Sequence, residues 1–235
     1  SEFTITQISS CRAMGKRSRW KLFKELFCLY RPLGFARLMT RAAVRRLFGF
    51  LPKGRGSSSY QSFAQLCHAY GVPYARVANP NAPEYVAELK ARGVDLLVSV
   101  ACPFILKEHV LTATPQGCIN IHHAPLPRYK GMMPTFWQMY HGEAKVGVTV
   151  HYMVAKVDEG AALLQTELAI KPGETLDQLI QRSKRQGAHC MAKVIRQIAS
   201  QTQIAYKLKN EEGSYFTFPT FQEMKEFHRR GLRAI

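Results

Sequence analysis

The chain has 235 residues, 46% hydrophobic and 21% charged, an ordinary composition for a globular protein that can bury a sizeable core. No stretch offers the eighteen or more uncharged apolar residues of a membrane-spanning helix, and the Arg and Lys residues near the start argue against a secretory signal. Six cysteines stand singly, without metal-ligand spacing, which predicts reduced thiols in a cytoplasmic protein and no bound metal.

The net charge of +17 is concentrated near the start of the chain. Residues 1–50 hold eleven Lys and Arg residues against Glu2 and Glu25, a net charge of +9. A solvated helical face is the commoner explanation of such a cluster. The alternative is a polyanionic partner, such as RNA, anionic lipid or a phosphorylated small molecule. We expect a single domain over 1–235, with a basic amphipathic helical region at 12–50.

In chain order, residues 3–8 alternate apolar and polar side chains, which predicts a short strand. From about 19 to 50, aliphatic and aromatic residues recur every three or four positions, which predicts amphipathic helices interrupted at 31–34. Packing of this helical pair on the protein's own core is the preferred interpretation. The alternative is contact with a membrane surface, with the basic face toward the lipid headgroups.

After a loop at 53–59, helical and extended patterns alternate. The patterns predict helices at 60–70, 82–92 and 135–141, and strands at 74–77, 94–100, 117–121, 147–154 and 161–170. Thr175 with Gln178, and Thr220 with Glu223, predict capped helices that end near 199 and 229, the second within a short C-terminal extension at 200–235. This alternation predicts an α/β fold, with an open, mostly parallel, Rossmann-like sheet flanked by helices. The apolar run at 94–100 predicts a strand buried on both faces.

The segment 118–131 carries the clearest chemistry. Asn120 and His122 stand two apart at the end of a predicted strand, so they project from one face toward the crevice where open sheets bind ligands. Asp158 follows 36 residues after His122, in a loop behind another strand. An amide, an imidazole and a carboxylate that meet there could bind a carbonyl and move a proton. We expect structural or peripheral roles for His123, which points to the opposite face, and for His151.

This segment resembles the motif of the folate-dependent formyltransferase family, Asn-x-His-x-Ser-Leu-Leu-Pro followed by an aromatic residue, a basic residue and glycine. The matching positions are Asn120, His122, Leu126, Pro127, Tyr129, Lys130 and Gly131, and Asp158 stands where the family has its aspartate. Residues 142–143 and 147–151 also match, whereas Ala124 and Pro125 replace the usual Ser and Leu. The family's first strand has no counterpart here, so residues 3–8 would correspond to its second.

The resemblance implies that Asn120, His122 and Asp158 are catalytic and that 10-formyltetrahydrofolate is the co-substrate, with no metal. Asn120 would stabilise the oxyanion, His122 would transfer the proton, and Asp158 would orient the imidazole. The resemblance also implies three folate-binding segments, formed by Pro103, Phe104, Ile105 and Leu106, by Ala124, Pro125, Leu126 and Pro127, and by Val154 and Val157. Arg128 and Lys130 would contact a folate glutamate or an acceptor phosphate, although solvent exposure explains them equally well.

Formyl transfer to a primary amine is the activity that the resemblance implies, with a small acceptor, phosphorylated or not. Methionyl-tRNA formyltransferases carry a further C-terminal barrel, and the roughly 35 residues after the long helix are too few for one, which argues against tRNA. Two alternatives stay open. The same trio could hydrolyse 10-formyltetrahydrofolate to formate, or the chain could be a non-catalytic domain that binds anionic surfaces through 12–46.

Overall fold

The computed structural model describes residues 3–11, 18–57 and 59–235, so positions 12–17 of the predicted basic region lie outside the described residues. The helices and strands follow one another in the order β1 (Ile8–Cys11), α1 (Arg19–Phe48), α2 (Phe63–Tyr70), β2 (Tyr74–Val77), α3 (Pro83–Ala91), β3 (Leu97–Val100), α4 (Glu108–Leu111), β4 (Cys118–His122), β5 (Lys130–Gly131), α5 (Pro134–Tyr140), β6 (Lys145–Tyr152), β7 (Ala162–Ala169), α6 (Leu176–Ala199), β8 (Tyr215–Phe216) and α7 (Phe221–Arg229), with a 3-10 turn at Asn210–Glu212. This order confirms the predicted α/β class.

The largest sheet has four strands in the order β3-β4-β6-β7. Strands β3 and β4 run parallel, whereas β6 is antiparallel to both of its neighbours, β4 and β7. Two smaller parallel pairs, β1-β2 and β5-β8, lie beside it. Among the described strands, three of the five pairings are therefore parallel, and the sheets are open, as the sequence predicted.

Two sequence predictions about strands were wrong. A strand was predicted at 3–8, but the strand in the structure covers 8–11, where the chain pairs with β2. The alternation of apolar and polar residues does not determine which residues find a partner strand. Strand β3 is not buried on both faces, since Val98 and Val100 are 37% and 60% exposed. Helix α6 covers the neighbouring β4 on that side, where Ile119 and Ile121 are buried, but leaves the edge strand uncovered.

The helix boundaries follow the local signals in the sequence. Both Thr175 and Thr220 form the predicted capping boxes at the starts of α6 and α7. Helix α1 is broken at Arg31, which has φ 57° and ψ 170° and precedes Pro32, so the predicted interruption is confirmed. No helix within the described ranges combines the length with the low charge needed to cross a bilayer.

The C-terminal segment, residues 200–235, packs into the hydrophobic core and is not a separate extension. Met224 and Phe227 of α7 are fully buried in one cluster with Phe136 and Trp137 of α5 and with Leu29 of α1. A second cluster joins α6 to the large sheet. Residues 200–235 therefore support α5, which follows the segment that carries the site.

Candidate active site

Asn120 lies in a row of polar side chains that crosses three strands of the large sheet. Strand register places Asn120 between Ser99 on β3 and His151 on β6. His151 Nδ1 donates to the carbonyl oxygen of Tyr152 at 2.8 Å, so the neutral ring presents an acceptor at Nε2. Asn120 Nδ2 donates to that atom at 3.3 Å. The amide nitrogen carries a second hydrogen, which is therefore left for a ligand oxygen.

His122, at the end of β4, is held by two acceptors on opposite sides of its ring. Nε2 donates to the carbonyl oxygen of Tyr129 at 2.8 Å, and Nδ1 lies 3.5 Å from Asp158 Oδ2. The side chains of His122 and Asp158 are only 8% and 10% exposed. The structure therefore brings these two residues together from distant parts of the chain. The ring is thus held between a carbonyl oxygen and a carboxylate.

Asp158 is fixed by the backbone around it. Its own φ of 55° lies in the left-handed region, and its Oδ2 accepts from the Gly131 amide at 2.8 Å. Gly131 has φ 93°, and a Cβ there would overlap the carbonyl oxygen of Phe216 on β8. The β5-β8 pairing therefore requires glycine at this position and aims its amide at the carboxylate.

His151 is not peripheral, contrary to one of the two roles expected from the sequence. It is 1% exposed, bonds Asn120, and has Nε2 3.7 Å from Asp158 Oδ1. Burial lowers the pKa of His151, and the Tyr152 carbonyl and Asp158 offset only part of this effect. The ring is therefore neutral around pH 7. The pairing of His151 with Asn120 across β4 and β6 would have located it, but this pairing cannot be read from the sequence alone.

His123 points away from the site, as predicted. Its Nδ1 is 2.7 Å from Ser183 Oγ on α6. Burial lowers the pKa of His123 to about 4, with smaller contributions from His122 and Lys184. The ring is therefore neutral near pH 7 and takes part in packing between the sheet and α6.

Ser99 is a residue that the sequence reasoning missed. Its hydroxyl is buried, faces the register position of Asn120, and makes no hydrogen bond to any residue of the described chain. A polar residue in the apolar run Leu97–Val100 was the available signal. The hydroxyl adds polarity to the floor of the site next to the amide of Asn120.

Two ion pairs flank the site. Lys130 Nζ donates to Glu159 Oε1 at 2.9 Å, and this hydrogen bond lowers the pKa of Glu159. Arg128 pairs with Glu143, which also accepts from the Tyr129 hydroxyl. Burial, followed by that contact, raises the pKa of Tyr129 to about 12. Both basic side chains are thus engaged by carboxylates of the protein.

Two of the three predicted folate segments lie side by side. Phe104 and Met153 pack on the same cluster around buried Leu106. This leaves Ile105, Val154 and Val157 as exposed apolar side chains, at 70%, 46% and 39% exposure, with Pro103 exposed beside them. Exposed apolar groups beside buried polar ones are the usual lining of a site for a flat heterocycle.

The third predicted segment, 124–127, is mostly built into the protein. Ala124 is fully buried and Leu126 is 3% exposed. The carbonyl oxygen of Ala124 accepts from Thr149 Oγ1 at 2.7 Å, and that of Leu126 accepts from Gln165 Nε2 at 2.9 Å. A ligand would therefore meet the half-buried Pro125 and Pro127 in this segment. Across the ranges that the structure describes, no three His, Cys, Asp or Glu residues are arranged to hold a metal.

Solved structures of known function share this fold. Glycinamide ribonucleotide transformylase 1 from Symbiobacterium toebii superposes with a TM-score of 0.58 at 20% identity, covering 87% of this chain and 95% of that one. A formyltetrahydrofolate deformylase from Pseudomonas syringae gives a TM-score of 0.56 at 18% identity, covering 63% and 54%. At such identities the likeness shows the fold alone.

Sequence comparison is more specific. The methionyl-tRNA formyltransferase of Syntrophus aciditrophicus is 36% identical over 146 residues, which are 62% of this chain and 47% of that protein. The chain thus spans about half the length of the curated relatives it matches. The family model described as formyl transferase matches residues 51–195, more than half of the chain, and includes all three residues of the trio. The chain therefore belongs to the formyl transferase family.

Proposed function

We propose that this protein transfers a formyl group from 10-formyltetrahydrofolate to a primary amine, with Asn120, His122 and Asp158 as its catalytic residues. The observation that carries the proposal is the 3.5 Å contact between His122 and Asp158, beside an Asn120 amide with a hydrogen to spare. These groups would supply an oxyanion donor and a proton carrier near the carboxyl end of β4.

The first step is attack on the formyl carbon. The lone pair of the acceptor nitrogen forms the new C–N bond, and the π pair of the carbonyl moves onto its oxygen. Asn120 Nδ2 donates its second hydrogen to this oxyanion, while His151 holds the amide in place through the first. Because the amide is already fixed, little reorganisation is needed as the charge develops.

The second step moves one proton and breaks one bond. The acceptor nitrogen loses a proton, N10 of the folate gains one, and the C–N10 bond breaks with its electron pair going to N10. The products are a formamide and tetrahydrofolate, so the number of protons balances. His122 serves as the carrier, directly or through water, because an imidazole nitrogen can take up a proton and release it again. Asp158 and the Tyr129 carbonyl oxygen hold the ring.

The exposed side chains of Ile105, Val154 and Val157 form the apolar surface on which we place the pterin. Their backbone groups, in the segments that follow β3 and β6, would supply the polar contacts of the heterocycle. Pro125 and Pro127 would border the same ligand from the loop after β4.

We further propose a small amine, phosphorylated or not, as the acceptor. Within the residues that the structure describes, β8 and α7 pack into the core with Phe136 and Trp137, so the segment after α6 is part of this domain. The fold is also shared with a glycinamide ribonucleotide transformylase. All six cysteines are free thiols, which supports the cytoplasmic location proposed from the sequence.

The test is to incubate the protein with 10-formyltetrahydrofolate and to follow tetrahydrofolate formation, with no acceptor and then with each of several amines. The panel comprises glycinamide ribonucleotide, an aminosugar nucleotide and methionyl-tRNA. We expect turnover that depends on a small amine and yields the formamide. Equal turnover without any amine, with release of formate, would replace transfer by hydrolysis, and turnover with methionyl-tRNA alone would refute the acceptor class.

A further inference from the structure

Helix α1 carries a row of aromatic side chains that continues across its break. We call Trp20, Phe23, Phe27 and Phe35 the aromatic ridge. Trp20 stacks on Phe23 with ring centroids 5.5 Å apart, and Phe35, from beyond the break, meets Phe23 and Phe27 edge-on at 4.9 and 5.5 Å. The two arms of the helix thus form one continuous aromatic surface.

The ridge faces away from the protein. Leu29, on the opposite side of the first arm, is 1% exposed in the core, and its carbonyl oxygen lies 2.8 Å from His228 Nε2 on α7. Trp20 is 63% exposed, and Leu33, at the break, is 84% exposed. An amphipathic helix normally turns its apolar side inward, but here the core takes up only one side and the aromatic side remains in solvent.

The charge around the ridge is of one sign. Exposed basic residues along α1 include Lys21, Lys24, Arg31 and Arg37, and the Lys24 ammonium lies 5.3 Å from the centre of the Trp20 ring. The single acidic residue in the sequence of Arg19–Phe48 is Glu25, which is buried. The exposed surface of α1 around the ridge therefore offers aromatic and aliphatic side chains bordered by Lys and Arg, and the carboxylate of Asp177 on α6 pairs with Arg41 farther along the helix.

We propose that the aromatic ridge docks on an anionic membrane surface. Trp and Phe at the level of the headgroups, a protruding aliphatic residue, and Lys and Arg beside anionic lipid are the features of a helix that lies in the interface. RNA would also attract the cations, but it gives no reason for an aliphatic side chain such as Leu33 at the tip. This inference is independent of the catalytic proposal.

The two tryptophans of the chain make the test specific, since Trp137 is only 4% exposed and Trp20 is 63% exposed. The full chain is mixed with phosphatidylcholine vesicles that do or do not contain phosphatidylserine, and both co-sedimentation and tryptophan emission are measured. We expect binding and a blue shift of the emission only with phosphatidylserine, and weaker binding as salt is raised.

Exposed substitutions then locate the surface without disturbing the core. Lys21→Gln/Lys24→Gln should weaken vesicle binding about 25-fold, roughly fivefold for each cation removed. Phe23→Ser should weaken binding roughly tenfold. The matched controls are Lys184→Gln/Lys193→Gln on the exposed face of α6 and Ile204→Ser, which is 78% exposed, and these should bind like the unchanged protein.

Three results would overturn the proposal. The first is no binding to phosphatidylserine vesicles while circular dichroism shows a folded chain. The second is vesicle binding that the α1 substitutions leave unchanged, or that the controls weaken equally. The third is a shift of RNA in a gel without any vesicle binding, which would assign the surface to nucleic acid.

Discussion

Asn120→Ala should affect two separate measurements, the kcat of the enzyme and the stability of the fold. The hydrogen bond that we propose Asn120 donates to the oxyanion should be worth about 100-fold to 1000-fold in kcat, by comparison with other donors of this kind. The hydrogen bond to His151 Nε2 is lost as well, so a ring that is only 1% exposed loses its hydrogen-bond donor at that nitrogen. An unpaired buried acceptor costs about 1–3 kcal/mol of the free energy of unfolding.

The assay measures kcat at saturating 10-formyltetrahydrofolate and amine, and the melting temperature of the same preparation. For a chain of this size each kcal/mol lowers the melting temperature by about 2–4 °C. The control is Gln65→Ala, which removes a buried amide that donates to the Phe48 and Leu51 carbonyl oxygens and to none of the trio. That variant should lose stability and keep its kcat. If Asn120→Ala behaves in the same way, Asn120 has only a packing role and the oxyanion assignment is refuted.

Three further variants test the site and its support. His123→Gln should reduce the loss of stability in acid. The folded-state pKa of His123, about 4, lies below the ordinary 6.5, so this group lowers the free energy of unfolding of the unchanged protein by about 3 kcal/mol as pH falls from 6.5 to 4. Unfolding curves across that range should show a smaller loss in the variant. Gly131→Ala should abolish most turnover, because the new Cβ displaces the Phe216 carbonyl oxygen and the amide that holds Asp158; wild-type kcat would contradict this. Phe227→Ala should lower the free energy of unfolding by about 3–5 kcal/mol in urea titrations, since the ring is fully buried, and a loss below 1 kcal/mol would mean that the site collapses readily.

Signals that act within a few residues predicted their part of the fold correctly. The capping boxes at Thr175 and Thr220 and the break at Arg31 depend on neighbouring residues only, and all three are present. The trio was found because Asn120 and His122 share a strand face and the family motif locates Asp158. The roles of these three residues stay predictions.

Features that depend on partners distant in the sequence were not predictable. His151 lies opposite Asn120 through the register of an antiparallel pair, and a shift by one residue would turn His151 to the other face. The exposure of Val98 and Val100 depends on how far α6 reaches across the sheet, which no local pattern encodes. The start of β1 likewise depends on which residues β2 can pair with.

The family match ends at residue 195, but residues beyond it make hydrogen bonds that support the candidate site. The carbonyl oxygen of Tyr129 accepts the hydrogen bond from His122 Nε2. The amide of Tyr129 donates to Ser214 Oγ at 2.9 Å, and Lys130 N donates to the Ser214 carbonyl oxygen at 2.8 Å. A shortened protein ending at Ala199 would keep every motif residue. It would still lose the hydrogen bonds to Ser214 that hold Tyr129 and Lys130 in place. A substitution at Ser214 should therefore change turnover without any change to the motif itself.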